Sequence, residues 1–263
     1  MALRHEIATL AGVVGVVTLA ARYGDRLPVP TETPDAWMDV DVDDGLSGLA
    51  IALFAERHGI QLRMRPAQTG GYEVDPIEET FVPWAIGLSE DFVAAYPDRL
   101  LREALDEIGF ASGAFDEVGS IGGFASCSRR RMVVTVHGDR SHDDVLAVMH
   151  HELGHLVHCL VGTPPGWSAM DDVPYQGGSA AWRGEVWDGT RSRRAHGDAF
   201  VTSYAMSSEK EDIAETFEAC MVGLDTPPTH AVARKVALLQ EQVQARFPTF
   251  RCQPLPGATR HRP

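Results

Sequence analysis

An α+β domain is the fold class this sequence predicts. Several segments carry apolar residues at helical spacing, among them Leu46–Phe54, Leu100–Ile108 and Val232–Val243. Short runs between them read as strands: Ile60, Leu62 and Met64 alternate with polar residues, and Met132 to Val136 is β-branched. Two helical segments also carry a patterned set of histidines and glutamates, one around His151 and His155 and the other around Glu211 and Glu215. The expected architecture is a small mixed sheet packed on those two helices.

Composition narrows the classes of function. A chain of 263 residues with 44% hydrophobic residues has ample length and apolar content for a core. Its formal net charge of −14 and isoelectric point near 5.1 repel phosphate backbones, so nucleic acid is excluded as an expected partner. The basic run Arg129-Arg130-Arg131 reads as a solvated turn before a strand. Of the four cysteines, none forms a Cys-x-x-Cys pair. Their even number permits two disulfides in an oxidising compartment, although spacing assigns no pairing and Cys159 reads most simply as a buried thiol.

In chain order, residues 1–27 read as a targeting segment. Arg4 precedes an apolar run, Ile7 to Ala21, that spans about 22 Å as a helix, short of the ~30 Å hydrocarbon core. That length fits a signal peptide better than a spanning helix; an uncleaved anchor and a buried helix are the alternatives. Residues 28–45, with Pro28, Pro30, Pro34 and several aspartates, read as an acidic tether. The folded domain is expected over 46–250, followed by a tail over 251–263. Within it a helix ends at Gly59, and 66–83 reads as a loop. Ser89 is the expected cap of a short helix, and Asp98 of another that runs through Ile108 to Gly109. Residues 111–126 read as loop. The long excursion 162–198 holds Trp167, Trp182 and Trp187, read as anchors on the core or as lining of a cleft. Helices over 208–222 and 229–247 close the domain, and no internal repeat is evident.

The chemistry concentrates in His150-His151-Glu152-Leu153-Gly154-His155. Positions i and i+4 share a helix face, so His151 and His155 can offer two imidazole nitrogens to one metal ion. Glu152 lies within reach of a water on that metal and suits a general base. Ser141 or Asp143 can cap this helix, and Asp143 and Asp144 complement its dipole. Zinc needs a third protein ligand and one open position. The candidates lie in 203–219, where Glu211 and Glu215 share a face: one can bind the metal while the other holds an imidazole from behind. Glu209 falls out of that register and reads as solvated, and Cys220 lies on the opposite side. His150, His158, His137 and His142 are expected to be packed or solvated; His196 can be imagined swinging over the site.

With these residues in place, the chain resembles the gluzincin metallopeptidases, in the branch related to the catalytic domain of anthrax lethal factor. There a Tyr precedes, by seven residues, a ligand Glu that opens Glu-x-x-x-Glu-Ala/Thr-Phe; here stand Tyr204, Glu211, Glu215, Thr216 and Phe217. The doubled His150-His151 and the segment from Phe200 to Phe217 also resemble bacterial zinc-binding metallopeptidases of unknown substrate. The resemblance covers roughly 96–222. It implies a zincin-like fold and one zinc ion held by His151, His155 and Glu211. It also implies Glu152 as base, Tyr204 as transition-state donor and Glu215 behind the ligands. By analogy, the strand Val133 to Val136 would border the cleft and pair with substrate. The expected activity is zinc-dependent hydrolysis of peptide bonds in peptide or protein substrates, outside the cytoplasm, in a secreted or membrane-anchored protein. The alternative is a non-catalytic, zinc-stabilised extracytoplasmic binding or anchoring domain.

Overall fold

The computed structural model describes residues 45–66, 72–116, 119–136, 140–171, 174–175, 199–223 and 228–252. The expected targeting segment, the tether up to residue 44, Trp182, Trp187, His137 and His196 lie outside them, as does most of the tail. No helix among the described residues is long and apolar enough to cross a membrane.

The elements run α1 (Gly45–His58), β1 (Gln61–Arg63), β2 (Glu73–Pro76), α2 (Val82–Ala94), α3 (Asp98–Ala104), β3 (Glu107–Phe115), β4 (Gly123–Ser126), β5 (Arg131–Thr135), α4 (His142–Val161), α5 (Glu209–Val222) and α6 (His230–Arg246). The strands form one mixed sheet ordered β1-β3-β5-β4, with β2 also pairing with β3. β1, β3 and β5 are mutually parallel, whereas β2 and β4 run antiparallel to their neighbours. The main core joins Met132 and Val134 of β5 to Leu146, Met149 and Leu153 of α4 and to Phe217 of α5. Val133 and Phe124 turn to the opposite face, into a small cluster with Ala111 and Ala114. The domain is thus α+β, as expected.

Several sequence expectations are corrected. The helix expected from Asp98 to Gly109 stops at Ala104, because Leu105 is extended and Ile108 and Gly109 are drawn into the centre of the sheet. The glycine-rich stretch 111–126, expected to be loop, holds the end of β3 and all of β4. β3 is buried on both sides, so it shows no polar alternation. The expected loop 66–83 contains β2, and Ser89 caps nothing: it sits inside α2 and donates to the Ala85 carbonyl. Arg129 and Arg130 form the expected turn before β5, with Arg130 left-handed at φ 46° and paired with Asp106, but Arg131 is buried as the first residue of the strand. β5 is flanked by β3 and β4, which leaves β4 rather than Val133 to Val136 on the border beside α4.

Both disulfides form, Cys127–Cys159 and Cys220–Cys252. Cys159 is therefore an exposed bridge between the end of β4 and α4, and not a buried thiol. Cys252, in the segment read as tail, is tied to α5, and Phe250 beside it is buried.

Candidate metal centre

Two capped helices build the site. Ser141 and Asp144 form a reciprocal capping box at the start of α4. Ser208 caps α5 by accepting from the Glu211 amide, which fixes Glu211 in the first turn. The two helices meet at Gly154. A Cβ there would lie 3.0 Å from Phe217 Cβ and 3.1 Å from Ala214 Cα, so a larger residue would have to push the helices slightly apart.

At that crossing the Glu211 carboxylate reaches both imidazoles. Its Oε2 lies 3.1 Å from His151 Nε2 and 3.3 Å from His155 Nε2. Donor atoms about 2.0–2.1 Å from a tetrahedral zinc stand about 3.3 Å from one another. The observed separations match that spacing, and the two-imidazole, one-carboxylate set is the chemistry zinc takes with one position left open. His151, His155 and Glu211 therefore fit a zinc ion, with donor atoms all within 4.8 Å of one another. Burial raises the Glu211 carboxyl, but hydrogen bonds to His151 and His155 outweigh it and hold it well below the usual range.

Behind the pair, His151 Nδ1 lies 3.3 Å from Glu215 and 3.7 Å from Glu218. A carboxylate on the far nitrogen orients the ring and leaves Nε2 for a metal. Thr202 donates to Glu215 in turn, at 2.8 Å. Glu218 was not anticipated, although Glu211, Glu215 and Glu218 stand at i, i+4 and i+7, the spacing of one helix face.

Glu152 is 5% exposed on α4, and burial raises its carboxyl pKa against the lowering influence of His151 and His155. The edge strand presses on it. A Cβ added to Gly123 would sit 3.0 Å from Glu152 Oε1 and 2.8 Å from the Val133 carbonyl oxygen. Tyr204 begins a 3-10 turn just before α5, its ring centred 5.9 Å from that of His151. Burial, then the charges of Glu211 and Glu152, raise its phenol and keep the proton on it.

The remaining candidates take structural places. His150 is wholly buried, with Nδ1 2.6 Å from the Tyr96 hydroxyl. His158 and Glu209 meet through Thr163, so Glu209 holds the loop after α4 and is not simply solvated. His142 pairs with Asp91. Trp167 is an anchor, its Nε1 donating to Asp212 at 2.7 Å. Lys235, fully buried, lies 2.6 Å from both Asp212 and Asp171, and Tyr175 also donates to Asp212. The first part of the excursion is thereby fastened to α5 and α6, at the residue next to Glu211.

Residues 132–246 match the model of a family described as "Putative zinc-binding metallo-peptidase". No curated protein matches the chain. Among solved structures, the fold is similar to that of a putative zinc-binding metallo-peptidase from Bacteroides caccae ATCC 43185. The TM-score is 0.51 at 12% identity, over 82% of this chain and 89% of that one. The segment that supplies His151, Glu152, His155, Tyr204 and Glu211 thus lies within the residues that match this family's model.

Proposed function

We propose that the protein is a zinc-dependent endopeptidase of the gluzincin type, with one zinc held by His151, His155 and Glu211. The observation that carries this reading is the Glu211 carboxylate at 3.1 and 3.3 Å from two imidazole nitrogens, beside the buried Glu152. Zinc, when bound, acidifies a coordinated water toward a pKa of about 7 and polarises a carbonyl. Glu152 takes the proton of the attacking water and delivers it to the leaving amine. Its walled position keeps it next to the reacting atoms. The Tyr204 hydroxyl, held protonated, donates to the developing oxyanion. Glu215 and Glu218 keep the His151 ring turned toward the metal. The outer edge of β4 is open among the described residues, so an extended peptide can pair along it above Glu152. A purely structural zinc site would need neither Glu152 nor Tyr204, which favours the enzyme over the anchoring alternative. Two disulfides support a working place in an oxidising compartment, secreted or membrane-attached.

The test is zinc stoichiometry measured together with a peptide-library digest on wild type, Glu152→Gln and Tyr204→Phe. Glu152→Gln should keep one zinc and lose at least about 100-fold in turnover, the scale of general-base contributions. Tyr204→Phe should lower kcat with zinc content unchanged. A fully active Glu152→Gln protein removes Glu152 from the base role, and wild type without zinc removes the enzyme reading altogether.

A further inference from the structure

A second tyrosine approaches the site from the other side of the edge strand. Tyr72, just before β2, lays its ring on Phe124, with centroids 4.4 Å apart and planes 13° from parallel. Phe124 is buried on β4, one residue beyond Gly123, where a Cβ would lie 3.0 Å from Glu152 Oε1. Successive residues of a strand face opposite ways. Gly123 therefore turns to α4 and Phe124 away from it, so Tyr72 covers the face of β4 opposite Glu152. Tyr72 nevertheless remains in electrostatic reach of the metal centre: burial, then the charges of Asp116, Glu152 and Glu211, raise its phenol. The hydroxyl keeps its proton and is a donor, yet among the described residues it has no hydrogen-bond partner. The ring is partly exposed, while Phe124 beneath it is not.

We propose that Tyr72 is a substrate-binding and specificity residue: its hydroxyl donates to a main-chain carbonyl of a peptide lying along β4, and its ring walls the pocket for one apolar side chain. An extended peptide on the open edge of β4 passes between Glu152 on one face and Tyr72 on the other. Its side chains alternate between those faces. The side chain turned toward Tyr72 meets an aromatic surface held in place by the Phe124 stack, which favours apolar residues there. Any carbonyl within reach finds a donor already stripped of competing protein partners.

This inference rests on the peptidase reading, and the experiment separates the two. Wild type, Tyr72→Phe and Tyr72→Ala are compared in a peptide-library digest with zinc analysis. The best peptide found is then titrated into zinc-loaded Glu152→Gln and Glu152→Gln/Tyr72→Phe proteins. Tyr72→Phe keeps the stack and loses only the hydroxyl. It should raise KM, and weaken binding in the Glu152→Gln background, by about 3- to 10-fold, with kcat within about twofold and zinc unchanged. Tyr72→Ala should also erase the apolar preference at one substrate position. An active wild type whose KM and residue preferences survive in both Tyr72 variants overturns this inference alone. A zinc-loaded wild type that cuts no peptide overturns the peptidase reading and this one with it.

Discussion

At the scale of single residues, distance decides which side chains can share a metal and which can only support it. Glu211 and Glu215 are indistinguishable in kind and lie four residues apart. Glu211 Oε2 stands between two Nε2 atoms, whereas Glu215 meets His151 on its Nδ1 side. Equally local is the role of Gly123. Alanine there would bring a methyl to 2.8 Å from a backbone carbonyl and 3.0 Å from Glu152 Oε1, so the strand must shift. Gly123→Ala should leave zinc content intact and reduce hydrolysis about tenfold or more, because small displacements of reacting groups cost heavily. Zinc analysis with steady-state kinetics checks this; unchanged turnover would mean that β4 yields without disturbing Glu152.

At the scale of elements, the site depends on how closely α4 and α5 approach. Gly154 sets that distance. Alanine gains about 1 kcal/mol of helix propensity, but overpacking a filled crossing costs about 1–3 kcal/mol. Gly154→Ala should therefore lower stability by about 1 kcal/mol and weaken zinc binding, since Glu211 moves with α5. Thermal melts and competition with a chromogenic chelator measure the two effects separately. A stabilised variant with unchanged zinc affinity would show that the crossing has slack. The pairing of Cys127 with Cys159 acts at this scale too, tying the end of β4 to the turn of α4 that follows His155.

For the whole molecule, a metal at this place joins α4 to α5, and α5 is in turn bonded to the C-terminal segment through Cys220–Cys252. A zinc ion that binds only the folded state would stabilise it by mass action. Free zinc at about 1,000 times Kd contributes about 4 kcal/mol, which should raise Tm by roughly 8–16 °C over chelated protein. Calorimetry with and without chelator tests the coupling. Equal melting temperatures would argue that no metal bridges the helices.

The sequence by itself determined the features written in short-range spacing. An i, i+4 histidine pair, a carboxylate face on a second helix and the Ser141 cap of α4 are local, because helix periodicity and short spacing alone bring those residues together. Glu218, one further step on that carboxylate face, was as legible as Glu215. What only the tertiary structure decided lies between segments remote in sequence. Neither β4 as the border strand, nor Gly154 as the crossing point, nor the cysteine pairing, nor Tyr72 over Phe124 follows from any local pattern. The central strand β3 escaped reading for the same reason: its small residues answer to crowding by neighbours on both sides, and those neighbours exist only once the sheet has assembled.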